Sequence, residues 1–206
     1  MSEAQPTVAA MSSSAAARLV VAEHYLHRRP PISHAYGMID GVDIVGCVTF
    51  GVPASRAVQK SACPTEPDAV LELNRLWIRD DQPHGLASWF VSRSLRRLPP
   101  RIVVSYADTA VGHHGGVYRA MSWHYAGWTD MDRKTPRCDY VPLDPTKHSR
   151  EASRSGVSHK VRRKPKVKFW TVSGSPAERR RLRRLAGWPT LDWGERPPPT
   201  ASGEAC

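Results

Sequence analysis

Two runs of apolar and β-branched residues, Ala35 to Ile39 and Val42 to Phe50, flank an Asp40-Gly41 pair. That pair is the strongest short hairpin signal a sequence carries, so the two runs predict an antiparallel pair of strands. Ahead of them, Ala15 to Leu26 predicts a helix with Leu19, Ala22 and Leu26 on one face, stopped by Pro30 and Pro31. A loop from Pro53 to Pro67 leads into Ala69 to Ile78, where Leu71, Leu73, Arg75 and Trp77 alternate with Glu72, Asn74 and Leu76. Strict alternation places Glu72, Asn74 and Leu76 together on one face. A helix beginning at Leu86 or Ser88 and reaching Leu98 ends at Pro99-Pro100. The run Ile102 to Ala107 then predicts a strand buried on both faces, ending on Asp108. A helix from about Gly115 and an extended stretch His124 to Thr129 complete a strand-helix-strand unit. Such units gather ligands where the first strand ends and the helix begins. Asp108, His113, His114 and Tyr118 fall at that junction.

Past Thr146 the periodicity weakens. Lys160 to Lys168 is a basic run, Phe169 to Val172 suits a short strand, and Ala177 to Leu185 suits a strongly basic short helix. Charge follows the same division. Residues 1–146 hold 15 Lys/Arg and 14 Asp/Glu, while 147–188 hold 14 Lys/Arg against Glu151 and Glu178 alone, within a net charge of +11. A nearly neutral core with a cationic extension attracts a polyanion, and nucleic acid is the commonest one. The alternative is a solvated basic end. The expected organisation is a disordered leader over 1–17, a catalytic-size domain over 18–146, a basic DNA-binding extension over 147–193 packing on that core, and a disordered tail over 194–206. Eighteen prolines and seven tryptophans argue against a helical bundle. No run approaches the roughly 18 apolar residues of a membrane span, so no membrane partner is expected. Cys47, Cys63, Cys138 and Cys206 lack metal-type spacing and are expected to be reduced.

The order helix, hairpin, strand, helix, strand, helix, strand resembles the GNAT acyltransferase superfamily. Gln82-Pro83-His84-Gly85-Leu86-Ala87 resembles its Q/R-x-x-G-x-G/A loop, and Tyr118-Arg119-Ala120-Met121-Ser122-Trp123 its Tyr-x-x-x-Gly-Phe segment. The resemblance implies an α+β fold: a GNAT-like mixed, centrally splayed β-sheet flanked by helices, with a basic C-terminal extension. It also implies an acyl-CoA-type donor held by Gln82, Gly85, Ala87 and Ser88 at a helix start, and Tyr118 as the acid for the leaving thiolate. A second resemblance spans about residue 19 to Trp193. His24-Tyr25-Leu26-His27-Arg28, Glu72-Leu73-Asn74-Arg75-Leu76-Trp77, Ser88-Trp89-Phe90-Val91, Ser105-Tyr106-Ala107-Asp108, Tyr125-Ala126-Gly127-Trp128-Thr129 and Arg163-Lys164-Pro165-Lys166-Val167-Lys168 resemble the bacteriophage Mom family. That family implies conversion of adenine in double-stranded DNA to N6-carbamoylmethyladenine, protection from host restriction, Fe(II) dependence with an unsettled donor, and action in the cytoplasm of the infected bacterial host. It implies Tyr25 and Ser105 as further catalytic candidates.

Adenine N6 is a poor nucleophile, paired and stacked within a duplex, so the base must be extruded and held. A carboxamide such as Asn74 suits an adenine edge. Arg75 would join it if a bulge interrupts the strand. Asp108 is a candidate base or amine-orienting group with a pKa raised by burial, or else the cap of the following turn. Tyr118 is a candidate acid or a core aromatic. His24 and Tyr25 with Asp108, and His27 one turn on, are candidate iron ligands. His113 and His114 are as compatible with a flexible turn. For DNA, Lys160, Arg162, Arg163, Lys164, Lys166 and Lys168 could follow phosphates. Three function classes remain open: a DNA adenine-modifying transferase, a coenzyme A-dependent N-acyltransferase on a protein or small amine, and a non-catalytic nucleic-acid-binding protein. A homodimer is also open.

Overall fold

A computed structural model describes residues 6–130, 137–143, 156 and 158–193. Its centre is a seven-stranded mixed sheet. In chain order its strands are β1 (Thr7–Ala10), β2 (His34–Asp40), β3 (Asp43–Gly51), β4 (Val70–Ile78), β5 (Ile102–Asp108), β6 (His124–Trp128) and β9 (Lys166–Val172), and across the sheet they run β1-β2-β3-β4-β5-β9-β6. β7 (Cys138–Pro142) and β8 (Ser158–Arg162) form a separate antiparallel pair. Gly41, at φ +59°, makes the β2–β3 turn where the Asp-Gly signal predicts it.

The faces are covered by different helices. Helices α3 (Leu86–Leu95) and α4 (Gly116–Ala120) close over a core containing Leu71, Leu73, Phe90, Val91, Val103, Tyr118 and Phe169. The opposite face carries α1 (Ser13–Glu23) over Ala35 and Cys47, and α2 (Arg56–Ala62) with α5 (Pro176–Leu185) over Val70, Ile102, Val104, Trp170 and Val172. The side chains of β5 divide by parity between these two layers, as a strand buried on both faces requires.

β4 and β5 are the one parallel neighbouring pair in this sheet. They are registered from Val70 opposite Ile102 to Leu73 opposite Ser105, after which they no longer pair with each other. The sheet therefore forks at Leu73 and Ser105. On its other edge β4 slips register: Thr49 pairs with Arg75 but Phe50 pairs with Leu73, leaving Asn74 as the extra residue of a bulge. The bulge inverts the alternation. Leu71 and Leu73 point into the α3–α4 layer, and beyond the bulge Leu76 and Ile78 do so instead, while Trp77 packs beneath α1. The expected grouping of Leu76 with Glu72 is thereby corrected.

Three further corrections concern organisation. The leader expected to be disordered to Ala17 contains β1 and the start of α1, anchored by pairing of Thr7–Ala10 with β2 and by Ser12, whose hydroxyl accepts the Ala15 N–H at 3.2 Å. The basic extension does not merely pack on the core: its strand β9 lies between β5 and β6, antiparallel to both, so the predicted strand-helix-strand unit is intact in direction but has a third strand inserted. The loop after Pro53 contains α2, capped by Ser55. Cys47 and Cys63 are free and buried as expected, whereas Cys138 is disulfide-bonded. The expected tail over 194–206 lies outside the described residues. Among the described residues no helix is long and apolar enough to cross a membrane.

Candidate functional site

The fork between β4 and β5 holds a cavity of about 440 Å³. Its floor is Leu73 and Ser105, where the strands part; its walls come from Asn74 and Arg75 of the bulge, Tyr106, the 112–118 segment, and His24 and Tyr25 after α1. Parallel strands that diverge expose backbone and side chains of both at their carboxyl ends, the usual position of ligands in open sheets.

Tyr118 is buried, and its hydroxyl lies 2.7 Å from Ser105 Oγ. Ser105 Oγ donates its only proton to the Leu73 carbonyl at 2.9 Å, so Tyr118 donates to Ser105. Burial pushes the Tyr118 phenol up to about 12, against the opposing bond to Ser105, and keeps it protonated at neutral pH. Phe169 of β9 stacks on its ring at 4.7 Å and Trp123 packs at 5.0 Å, which fixes the ring in place.

The bulge brings Asn74 and Arg75 to one cavity, as an interrupted strand would. The Asn74 amide is already engaged: its oxygen accepts from Thr49 Oγ1 at 2.6 Å and its nitrogen donates to the Pro31 carbonyl at 2.7 Å. Those bonds hold the bulge and the 31–33 turn, and take one of the carboxamide's two donors and one of its two acceptor positions. Arg75 donates to the Asn74 and Arg28 carbonyls, but its buried Nε has no partner among the described residues. A buried guanidinium N–H without an acceptor, lining a cavity, suits an acceptor supplied by a ligand. Glu72 was not singled out by the sequence; burial raises its carboxyl to about 7, against the pull of Arg75, the Ala54 N–H and Lys166. Its signal was a carboxylate inside an apolar strand run.

Asp108 departs from the expected raised pKa. Burial pushes it up, but the Lys166 ammonium, with Nζ 2.6 Å from Oδ2, the Ala110 N–H and the charge of His113 outweigh burial and hold it below the usual carboxylate range. The capping role expected as the alternative is present: Oδ1 accepts the Ala110 N–H at 3.1 Å. After burial, the Asp108 carboxylate is what raises the Tyr25 phenol most. Lys166 therefore serves as the counter-ion of Asp108, and the ammonium of Lys168 lies 5.3 Å over the Trp188 ring. Lys160 and Arg162 lie on β8, with Arg163 and Lys164 just beyond it. The basic run is thus divided between the small hairpin and the main sheet. His113 and His114 line the cavity, and His113 meets the Tyr25 ring edge-on at 5.3 Å.

His24 is buried, stacks on Tyr25 at 4.3 Å and accepts the Leu26 N–H on Nδ1. Burial, then Arg75, His113 and His27, lower it to about 4, so it is neutral at physiological pH. Neutral imidazole is the ligating form, yet the expected iron trio of His24, Tyr25 and Asp108 does not fit the ion. Nδ1 is taken, Asp108 is tied to Lys166 and Ala110, and His27 turns its Nδ1 to the Val21 carbonyl. Among the described residues no three His, Cys, Asp or Glu side chains gather as a metal site.

Of the proposed donor loop, only Ala87 lines the cavity. Gly85, at φ +86°, turns the chain into α3. The Ser88 hydroxyl donates to the Gly85 carbonyl, and the Leu86 N–H goes to the Pro83 carbonyl. Asp81 accepts from Arg79 and from Gln82, placing a carboxylate where an amide cradle for a pyrophosphate would be open. The loop does not fit conventional phosphate capture.

A seven-stranded mixed sheet that parts at its one parallel pair, with a tyrosine–serine pair at the fork, defines a GNAT-like α+β fold. Within that class, the chain belongs to the Mom protein family, which matches residues 5–176. A relative from Escherichia phage Mu, "Methylcarbamoylase mom", is 30% identical over 116 residues, 53% of this chain and 48% of that protein. The chain thus spans about half the length of the curated relative it matches. Among solved structures, yncA of Salmonella typhimurium, described as a putative acetyltransferase with its cofactor acetyl-CoA, overlaps with a TM-score of 0.48 at 10% identity, covering 84% of this chain and 96% of that one. An N-acetyltransferase from Staphylococcus aureus Mu50 overlaps at 0.46 and 11% identity, covering 81% and 97%.

Proposed function

We propose that this protein is a phage DNA-modifying transferase that converts adenine in duplex DNA to N6-carbamoylmethyladenine after flipping the base, and so shields the DNA from restriction in the host cytoplasm. One observation carries the reading: in a chain of the Mom family, the cavity at the β4–β5 fork joins a protonated Tyr118–Ser105 pair to an Arg75 Nε without an acceptor.

The chemistry divides among these groups. The N6 lone pair attacks the methylene carbon of the transferred group, and the bond from that carbon to its leaving atom breaks with the electron pair. Tyr118 delivers its proton to the leaving atom and regains one along the Ser105 hydroxyl, a general-acid role suited to a phenol neutral at pH 7. Arg75 Nε holds the carbonyl oxygen of the carbamoylmethyl group, where a preformed donor in a water-poor cavity is worth most. Asp108, ionised and fixed by Lys166, orients the Tyr25 hydroxyl toward the amine, and the proton lost by N6 leaves to solvent at the cavity mouth. His24 and Tyr25, stacked on each other, offer aromatic surface to an extruded base. The donor is a small molecule carrying the methylene of the carbamoylmethyl group on a good leaving atom; an acyl-CoA-type thioester would instead be attacked at its carbonyl carbon and leave an N6-acyl adenine, the product of the alternative acyltransferase reading.

Mass spectrometry of nucleosides from plasmid DNA, prepared with and without expression of the full chain, tests this. Adenosine heavier by one carbamoylmethyl group is the expected product. Unmodified adenine under verified expression during phage growth, where the donor is supplied, overturns it.

A further inference from the structure

Helix α5 is held to the sheet by one side. Leu182 is fully buried against the β9 layer, and Leu185 packs partly against it. At 3.6 residues per turn, Arg179, Arg183, Arg180 and Arg184 fall in that angular order within an arc of about 140° facing away from Leu182, and all four are exposed. Arg181, at the margin, is ion-paired with Glu66. Among the described residues no carboxylate forms a salt bridge with the other four. A solvated helix face normally sets acids four residues from its bases. Here Arg179 stands four before Arg183 and Arg180 four before Arg184, like-charge pairs that repel. Glu178, the helix's sole acid, is consumed in the Ser175 capping box. That box and Pro176 in the first turn hold a helix whose own charge works against it.

From the face of the sheet opposite α3 and α4, the helix is linked to the cavity through Tyr106. Leu182 and Trp188 share one cluster with Tyr106, Trp188 meets Tyr106 edge-on at 6.0 Å, and Tyr106 lines the fork cavity. We infer that Arg179, Arg180, Arg183 and Arg184 form the surface that grips the phosphate backbone of duplex DNA. This grip lies on α5 rather than on the Lys160–Lys168 run, and the inference rests on DNA being the substrate. Spacing of about 5–6 Å between neighbouring turns, with long flexible side chains, lets the four guanidinium groups reach successive phosphates. No base reading is required of them, so the grip is independent of sequence.

The test is binding of a short mixed-sequence DNA duplex by the full chain, followed by fluorescence anisotropy across a range of salt concentrations. The variant carries Arg179→Gln, Arg180→Gln, Arg183→Gln and Arg184→Gln. A charge-matched control carries Arg18→Gln, Arg93→Gln, Arg96→Gln and Arg97→Gln, all exposed and none of them on α5. Each phosphate contact contributes about 0.9 to the slope of log affinity against log salt, so the α5 variant should lose about 2 to 4 in slope and the control less than about 1. Circular dichroism and thermal melting establish that both variants fold; if the α5 variant does not, single Arg180→Gln and Arg184→Gln proteins should each lose about 1 in slope. Equal slopes in variant and control overturn the inference, as does a surface that instead prefers phosphatidylserine vesicles to the duplex. An adenine adduct made by an α5 variant with unchanged slope defeats this inference alone. A slope lost in the variant, with no adduct from the unaltered protein, defeats the proposed reaction alone.

Discussion

Lys166 Nζ lies 2.6 Å from Asp108 Oδ2, across a register pair in which β9 runs antiparallel to β5. The ion pair joins the tip of the cavity strand to a residue 58 positions later in the chain. Because Lys166 and its neighbours hold Asp108 below its usual range, the carboxylate stabilises the fold above its unfolded pKa, and that contribution is lost as pH falls through the folded value. Lys166→Met leaves Asp108 with burial and no counter-ion, reversing the direction of its shift. Denaturant unfolding at neutral pH should show a loss of about 1–3 kcal/mol, and the deficit relative to the unaltered protein should shrink on acidification toward about pH 3. A deficit that does not change with pH would contradict this coupling.

Tyr118→Phe removes the proton donor while keeping the ring stacked on Phe169. Modification should fall about 10²-fold or more, with stability changed by only about 1 kcal/mol and duplex affinity unaltered. Ser105→Ala removes the relay but leaves the phenol, so its loss of rate should be smaller and should come with a tyrosine pKa raised further, read by ultraviolet difference titration. The sign follows from the site: the Ser105 hydroxyl opposes the upward push of burial on Tyr118, so without it burial acts alone, and a titration that moves down would contradict the pairing.

The hairpin, β4, β5 and α3 were legible because each is written in local apolar period and turn chemistry. The fork was legible only through the GNAT resemblance, since nothing in Val70–Ile78 or Ile102–Asp108 states that they lie side by side. The insertion of β9 was not legible: a strand with Lys at its first and third positions reads as a solvated basic run, and only pairing of Lys166 with Asp108 and of Phe169 with the Tyr118 ring accounts for its burial. The partners of Asn74 and Asp108 were not legible for a related reason. Residue type predicts which atoms can bond, whereas Thr49, Pro31 and Lys166, which fill those atoms, arrive from elsewhere in the chain.

Asn74 tests this distinction. Its amide is satisfied at both ends within the protein, so Asn74→Ala should destabilise the fold by about 1–3 kcal/mol through unpaired partners and lower activity by loosening the bulge. Preference for adenine should survive. Sequencing of modified positions together with thermal melting separates the two outcomes; unchanged melting with relaxed base choice would return Asn74 to base recognition.

Gly115 opens α4 at φ +79°, and a Cβ there would come 2.5 Å from Phe169 Cζ. Gly115→Ala meets both objections at once, a left-handed backbone and a ring that is itself wedged between Tyr118 and Trp193. We expect a loss of about 1–3 kcal/mol and a displaced Tyr118. Activity should fall further than in a variant of equal stability away from the fork, such as Leu182→Val, when both are assayed well below their melting temperatures.

His24 carries a pH dependence whose sign is fixed by its burial. Its folded pKa of about 4 lies below the ordinary 6.5, so the unfolded chain binds a proton that the native protein refuses. Stability therefore rises with pH through that window and falls as the solution is acidified from 6.5 toward 4. His34 and His124 are shifted in the same direction and contribute to the same slope. A difference measurement isolates His24: His24→Asn keeps an acceptor for the Leu26 N–H but has no proton to exchange. Subtracting its melting-temperature profile from that of the unaltered protein should leave a curve flat above about pH 6.5 and declining below it. A flat difference across the whole range would mean that His24 takes up its proton in the native fold as readily as in the unfolded chain.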